Sequence, residues 1–338
     1  MKEALARLVE KQDLSDSEMT GAMTAIMDGQ AAPAQIAAFL TALRAKGETV
    51  AELVAAVRVL RARAVALPVK GPVIDTCGTG GDGLGLFNVS TASAFVAAAA
   101  GAKVAKHGNR AATGTVGGAD VLEALGARIE LPPELAARCL ERCGFTFLFA
   151  PLYHPAVRHV AAVRRELGFR TLFNLTGPLC NPAGARRQVI GLFSADWMEP
   201  VAETMRELGS EHVLVVHGSD GSDEITVAGT TSVVELVGGE IRGFEIEPEQ
   251  FGMRRCSVGD LRGGVDAASC GATLREVLAG AVGPLSDATA LNAGAAIHVA
   301  GIAATLAGGV ARAREILRSG AAAGVLEAFV SLSRGEAA

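Results

Sequence analysis

Two glycine runs, each fed by a short apolar strand and each opening into a helix, constrain this chain more than any other feature. The first runs Val73-Ile74-Asp75-Thr76-Cys77-Gly78-Thr79-Gly80-Gly81-Asp82-Gly83 and reaches a small-residue helix at Asn88-Val89-Ser90-Thr91. The second follows a strand over Ala102 to Ala105, which delivers Lys106, His107, Asn109 and Arg110 to a loop. It then passes through Thr113-Gly114-Thr115-Val116-Gly117-Gly118 into a helix over Ala119 to Leu125. Glycines let backbone N–H groups converge on an anion, and the following helix N-terminus adds a favourable dipole. The spacing is neither a Walker pattern, which needs Gly-Lys-Ser/Thr, nor a clean dinucleotide fingerprint. Taken alone, the first run serves equally well as a tight turn. In open α/β sheets ligands bind where strands end, so two such loops from neighbouring strands face one crevice.

The rest of the chain sets these loops in a two-part fold. Its 338 residues correspond to about two domains. The first ~65 read as four short helices. These are Ala4 to Lys11, a helix capped by Ser15 with Glu18 completing the box and ended by Gly29, one from Pro33 to Gly47, and one capped by Thr49 and running to about Ala66. After Pro68, strands alternate with helices: Pro133 to Cys143 is helical and Thr146 to Phe149 extended. Later strands fall at Gln188 to Leu192, Val213 to Val216, Ser232 to Val237 and Glu240 to Glu245, and a helical tail from Ala272 includes Ala290 to Ala307. The pattern predicts an α/β protein: a small all-helical N-terminal domain plus a large α/β domain with a central, mostly parallel sheet flanked by helices. Residues 1–66 form the small domain, a segment near 165–185 returns to it, and 67–164 with 186–338 form the large one.

Composition removes several function classes. Lys plus Arg number 31 against 36 Asp plus Glu, with no basic run, so an extended nucleic-acid surface is not expected. The apolar stretch from Ala92 to Ala105 is too short for a span and contains Lys103, and the charged start is no signal peptide. The six cysteines are scattered, which suggests buried thiols in a cytoplasmic protein rather than a zinc or disulfide framework.

Two further constellations carry chemistry. His217-Gly218-Ser219-Asp220-Gly221-Ser222-Asp223-Glu224 follows an apolar strand, and its adjacent acids suit a hard cation such as Mg²⁺ as well as a solvated turn. Arg164 lies on an amphipathic helix ahead of Arg170-Thr171 and the segment Asn174 to Pro182. An arginine turned inward there can grip a carboxylate with two hydrogen bonds.

In order and spacing, these residues resemble the anthranilate phosphoribosyltransferase family over nearly the whole chain. The similarity rests on Gly78-Thr79-Gly80-Gly81-Asp82, Lys106-His107-Gly108-Asn109, Ala119 to Gly126, Arg164 to Thr171, Asn174 to Pro182 and Asp223-Glu224. The resemblance implies transfer of a phosphoribosyl group from phosphoribosyl pyrophosphate to anthranilate in tryptophan biosynthesis. It implies that Gly78, Thr79, Gly80, Gly81, Asp82, Asn88, Ser90, Thr91, Lys106, Thr113 and Gly114 bind phosphoribosyl pyrophosphate. Gly78, His107, Asn109 and Arg164 would receive anthranilate, and two Mg²⁺ ions would be held by Ser90 and by Asp223 with Glu224. A homodimer joined through the helical domains is also implied, with no nucleic-acid or membrane partner.

One stretch departs from the family. Its Ser-Ser-Lys-Ser-Gly-Ser loop aligns with Thr113-Gly114-Thr115-Val116-Gly117-Gly118 here. Each lost hydrogen bond to a charged phosphate is worth on the order of 1–3 kcal/mol, so a weaker or repositioned phosphoribosyl pyrophosphate site is expected. Three alternative readings stand beside the main one: a pyrimidine nucleoside phosphorylase, a transferase with another aromatic acceptor, and a catalytically silent nucleic-acid-binding relative.

Overall fold

The computed structural model describes residues 1–81, 83–111 and 116–336. Four helices open the chain: α1 (Lys2–Val9), α2 (Asp16–Met27), α3 (Pro33–Lys46) and α4 (Val50–Ala62). Ser15 and Thr49 cap α2 and α4, each completing a capping box with Glu18 or Glu52 three residues on. Glu52 is fully buried. It accepts the Leu14 and Thr49 amides at 2.9 and 2.8 Å and pairs with Lys46 at 2.9 Å, which locks the bundle's corners together.

The remainder winds as β1 (Ile74–Gly78), α5 (Val89–Ala99), β2 (Val104–Gly108), α6 (Gly118–Ala124), α7 (Pro133–Cys143), β3 (Phe145–Phe149), α8 (Ala150–Tyr153), α9 (Arg158–Leu167), α10 (Leu172–Thr176), β4 (Arg187–Gly191) and α11 (Met198–Glu207). It closes with β5 (His212–Gly218), β6 (Thr231–Val237), β7 (Glu240–Ile246), α12 (Ala267–Leu278), α13 (Pro284–Val299), α14 (Leu306–Ser319) and α15 (Ala321–Ser333). Seven strands form one sheet in the order β3-β2-β1-β4-β5-β6-β7. The first five are parallel, and β6 and β7 run antiparallel.

One face of the sheet packs on α5, α13 and α15, with α12 and α14 against those helices and with Val104, Leu214, Val233, Phe95, Ile297 and Phe329 in a single apolar cluster. The opposite face shares a second cluster with the helical bundle. There Ile190, Val213 and Val215 meet α11, Leu172 and Phe173 of α10, and Phe39 and Leu53 of the bundle. The segment containing α9 and α10 therefore returns to the bundle.

Several boundaries differ from the pattern-based expectation. Strand β2 extends past the expected end at Ala105 to Gly108, so Lys106 and His107 sit within the strand and not on a loop. The last two strands form a hairpin through Gly238 and Gly239, whose φ angles of 59° and 88° suit the two-residue turn that matches strand twist. The helix expected over Ala290 to Ala307 breaks after Val299: Gly301 takes φ 77° and Thr305 caps α14. Among the described residues, no single helix is long and apolar enough to cross a membrane.

Candidate active site

The strand order reverses between β1 and β4, which places the sheet's switch point at their carboxyl ends, where ligands bind in open α/β sheets. The last residues of those strands, Gly78 and Gly191, are register partners. Asp223 lies directly over the pair. A Cβ on Gly78 would fall 2.2 Å from the Asp223 Oδ2, and one on Gly191 would fall 1.6 Å from its carbonyl oxygen. Both glycines are thus required by close approach. Asp223 Oδ2 accepts the Gly80 amide at 2.6 Å, and Thr79 closes the loop by donating its amide to the Gly191 carbonyl at 2.9 Å. The two acids and the first glycine run, remote in sequence, form one wall.

Lys106 supplies the cation on this side. It is 4% exposed, donates to the Thr76 carbonyl, and lies 3.1 Å from the Ser90 hydroxyl in the first turn of α5. The Ser90 amide donates to Glu224 Oε1 at 3.2 Å. Lys106, Ser90, Asp223 and Glu224 therefore surround the start of α5 beside the glycine loop. Asn88 donates to the Val116 carbonyl at 2.8 Å, which ties the two glycine runs to each other. Thr91 is 1% exposed, and a Cβ on Gly118 would fall 2.9 Å from its hydroxyl, so it packs beneath the second run.

Successive residues on a strand point to opposite faces, so His107 turns away from Lys106 toward the returning segment. Burial pushes its imidazole down to about 3, a bond to the Gly177 carbonyl partly opposes this, and its Nε2 finds no partner among the described residues. His154 packs beside it with ring centroids 5.0 Å apart, is also lowered by burial, to about 4, and likewise has an unpartnered Nε2. Arg164 on α9 is partly buried, which lowers its pKa. Its guanidinium lies 5.4 Å from the Phe173 ring centroid and 3.5 Å from Asn174 Oδ1. Asn109 is exposed at the end of β2, and its side chain accepts the Arg110 amide at 2.8 Å.

Three residues that organise this side carry no assigned role in the sequence reading. Asp75, fully buried on β1, accepts the His107 amide at 3.1 Å and the Asn181 side chain at 2.7 Å, and burial raises its pKa. Asn181 also donates to the Ala105 carbonyl at 2.8 Å, which pins the returning segment to β1 and β2. His154 is the third. Its only sequence signal is a histidine between Tyr153 and Pro155, indistinguishable from a turn without the contact to His107. Arg170 adds a bridge across the cleft by donating to the Gly81 carbonyl while stacking 4.1 Å from the Phe193 ring centroid. Of the expected site residues, Asp82, Thr113 and Gly114 lie outside the described residues, as does Thr115 of the divergent loop.

Asp223, Glu224 and Ser90 offer only oxygen donors, the set a hard divalent cation such as Mg²⁺ takes. Two carboxylates beside one lysine leave the wall able to accept positive charge. The residues present fit the ion.

Residues 70–323 match the glycosyl transferase family a/b domain and residues 2–64 the helical bundle domain of the same family. Fold and family match thus define a glycosyltransferase with an N-terminal helical bundle. A protein from Alkalilimnicola ehrlichii named anthranilate phosphoribosyltransferase is 52% identical over 99% of this chain and 99% of its own. The crystal structure of anthranilate phosphoribosyltransferase from Thermus thermophilus superposes with a TM-score of 0.93 at 46% identity, covering 98% of this chain and 99% of that one. The Saccharomyces cerevisiae enzyme of that name, solved in complex with phosphoribosyl pyrophosphate and Mg, gives 0.90 at 26% identity over 98% and 97%. The chain belongs to the anthranilate phosphoribosyltransferase family.

Proposed function

We propose that this cleft joins phosphoribosyl pyrophosphate to anthranilate with one substrate on each side of β2. The observation that carries the reading is the pair of consecutive residues Lys106 and His107. The first faces Ser90, whose amide bonds Glu224, and the second faces His154 and the segment linked to Arg164. Pyrophosphate sits by the glycine runs, Lys106 and the start of α5. Anthranilate enters beside His107 and Asn109, with its carboxylate on Arg164.

In the reaction, the bond from the anomeric carbon to the pyrophosphate oxygen breaks and a bond to the anthranilate nitrogen forms. The amine then releases a proton to solvent. Negative charge grows on the leaving group, where Lys106 and the amides of the glycine loop stabilise it. Mg²⁺ held by Asp223, Glu224 and Ser90 would neutralise the same charge when bound. The aromatic amine is already neutral at pH 7, so fixing its alignment supplies much of the rate. His107, kept uncharged by burial, offers an acceptor to the amine without repelling the developing positive charge on the ribose.

We read two ions at the acids and at Ser90, a dimer of helical domains, and a cytoplasmic setting as parts of the same proposal. Residues 1–66 with 165–185 act as the cap over the α/β domain. The test follows the loss of anthranilate fluorescence on adding phosphoribosyl pyrophosphate. Turnover is expected with Mg²⁺ and not in excess chelator, with no phosphorolysis of thymidine. Thymidine cleavage without anthranilate turnover would overturn the reading. Sedimentation of the full chain tests the dimer.

A further inference from the structure

Three metal-competent side chains converge at the far end of the sheet from the cleft. His212 is the first residue of β5. Glu235 on β6 pairs opposite Leu214, two residues along, and so shares the face of His212. His298 arrives from the last turn of α13. The cleft residues cluster at the other end of the strands, and His212 is separated from the end of β5 at Gly218 by about 20 Å of extended chain.

The ligand atoms face one another. His212 Nε2 is 2.8 Å and His298 Nε2 3.3 Å from the same oxygen, Glu235 Oε1, and the three atoms all lie within 4.8 Å of one another. Glu235 is 2% exposed. Its other oxygen, Oε2, is occupied by Arg242, which donates from Nε at 2.8 Å and from a terminal nitrogen at 2.6 Å. Oε1 is therefore the oxygen presented to the histidines.

The tautomer of His298 calls for a cation in this cluster. Its Nδ1 lies 3.1 Å from the Ala303 carbonyl, which can only accept, so Nδ1 carries the hydrogen. A neutral ring then turns a lone pair on Nε2 toward a carboxylate oxygen, two acceptors in contact. Only a cation between them resolves that contact, either a second ring proton or a metal ion. A ring nitrogen held by a carbonyl and a carboxylate held by an arginine are also the outer partners that orient metal ligands.

We infer that His212, Glu235 and His298 form a site for one divalent transition-metal ion of the zinc class, separate from the Mg²⁺ chemistry of the cleft. Two imidazoles and one carboxylate suit zinc or its congeners, whereas Mg²⁺ prefers oxygen alone. Zn–N and Zn–O bonds of about 2.0–2.2 Å place tetrahedral ligand atoms roughly 3.3 Å apart. The His298 contact to Oε1 at 3.3 Å already has that spacing, the His212 contact at 2.8 Å needs to widen by about 0.5 Å, and all three ligand atoms start within 4.8 Å of one another. A fourth position is left for water. The ion fastens the end of α13, just before the break at Gly301, to the half of the sheet where β5 and β6 run antiparallel.

The test uses the full chain, freed of metal by chelation and held in buffer without Mg²⁺. Titrated Co²⁺ is expected to fill the site at one equivalent with the comparatively intense d–d bands of a four-coordinate ion, unlike the weak bands of Co²⁺ on oxygen ligands alone, and with no thiolate charge-transfer band. Zn²⁺ should displace it and raise the melting temperature, because an ion that binds only the folded chain stabilises it. His298→Asn should abolish both signals. If that variant does not fold by circular dichroism, His212→Asn serves the same purpose. Arg242→Leu, which removes only an outer partner, should weaken binding about 10–100-fold. Absence of saturable one-to-one binding, a thiolate band, or binding that survives loss of a histidine would overturn the site and leave a proton-held ion network.

Discussion

The carboxylate of Asp223 accepts the Gly80 amide at 2.6 Å while its backbone fills the space a side chain on Gly191 would need. The loop bearing the acids and the first glycine run therefore hold each other in place. Gly191→Ala would push a methyl group into the Asp223 carbonyl and force the strand end or the acid loop to move. Overpacking of this kind costs about 1–3 kcal/mol or more. The variant should melt lower and lose turnover together, as read by thermal denaturation and by anthranilate fluorescence.

Lys106 is the buried cation on the side of β2 where the proposed function puts the phosphates. Lys106→Met keeps the stem and removes the charge, so the expected loss of kcat/KM for phosphoribosyl pyrophosphate is on the order of 10²–10³, typical of a lost transition-state donor. The anthranilate KM should change little. A loss confined to anthranilate binding would place the lysine on the wrong side of the strand.

Arg164 reaches Asn174 and the Phe173 ring from a half-buried position, and the proposed function pairs it with the anthranilate carboxylate. Arg164→Ala should raise the anthranilate KM with a smaller effect on kcat. Steady-state kinetics at saturating phosphoribosyl pyrophosphate check this, and unchanged kinetics would remove the arginine from the site.

Burial holds His107 at about 3 and His154 at about 4, below the ordinary 6.5. Between these values and the ordinary one, the unfolded chain binds protons that the folded chain refuses. Stability is thus complete above about pH 6.5 and falls as the pH drops toward 4, by roughly 1.4 kcal/mol per pH unit for each group. Urea denaturation from pH 7 to pH 4.5 should show this slope. His154→Gln should flatten it by about half of the pair's share.

Glu52 sits at the centre of the bundle's polar corner, bonded to two amides and to Lys46, whose side chain is 4% exposed. Glu52→Ala leaves the Leu14 and Thr49 amides without their acceptor, while Lys46 keeps Asp13 and the Gly47 carbonyl, and the expected destabilisation is about 3–5 kcal/mol. Calorimetry should find the transition of the helical part lowered.

What can be read in the chain is local. Ser15 with Glu18, Thr49 with Glu52 and Pro133 to Cys143 announce helices through caps and periodicity, and the structure agrees. The glycine runs point to a cleft because glycine's role is visible one residue at a time. Partners distant in sequence are not legible. Nothing near Asp75 signals that Asn181 will close over it, and nothing near His107 signals His154. Strand β2 reads short because Lys106 and His107 are polar, yet tertiary burial overrides that preference. The Gly238-Gly239 pair does carry a hairpin signal, which the mostly parallel pattern of the preceding strands obscures.

Asn181 spends one amide group on the Asp75 carboxylate and the Ala105 carbonyl at once. Sliding this corner would strand two buried acceptors in a dry interior. The stretch between α10 and β4 is thereby stapled to β1 and to β2, the strand that carries Lys106 and His107, so a substitution at Asn181 would be felt at both strands.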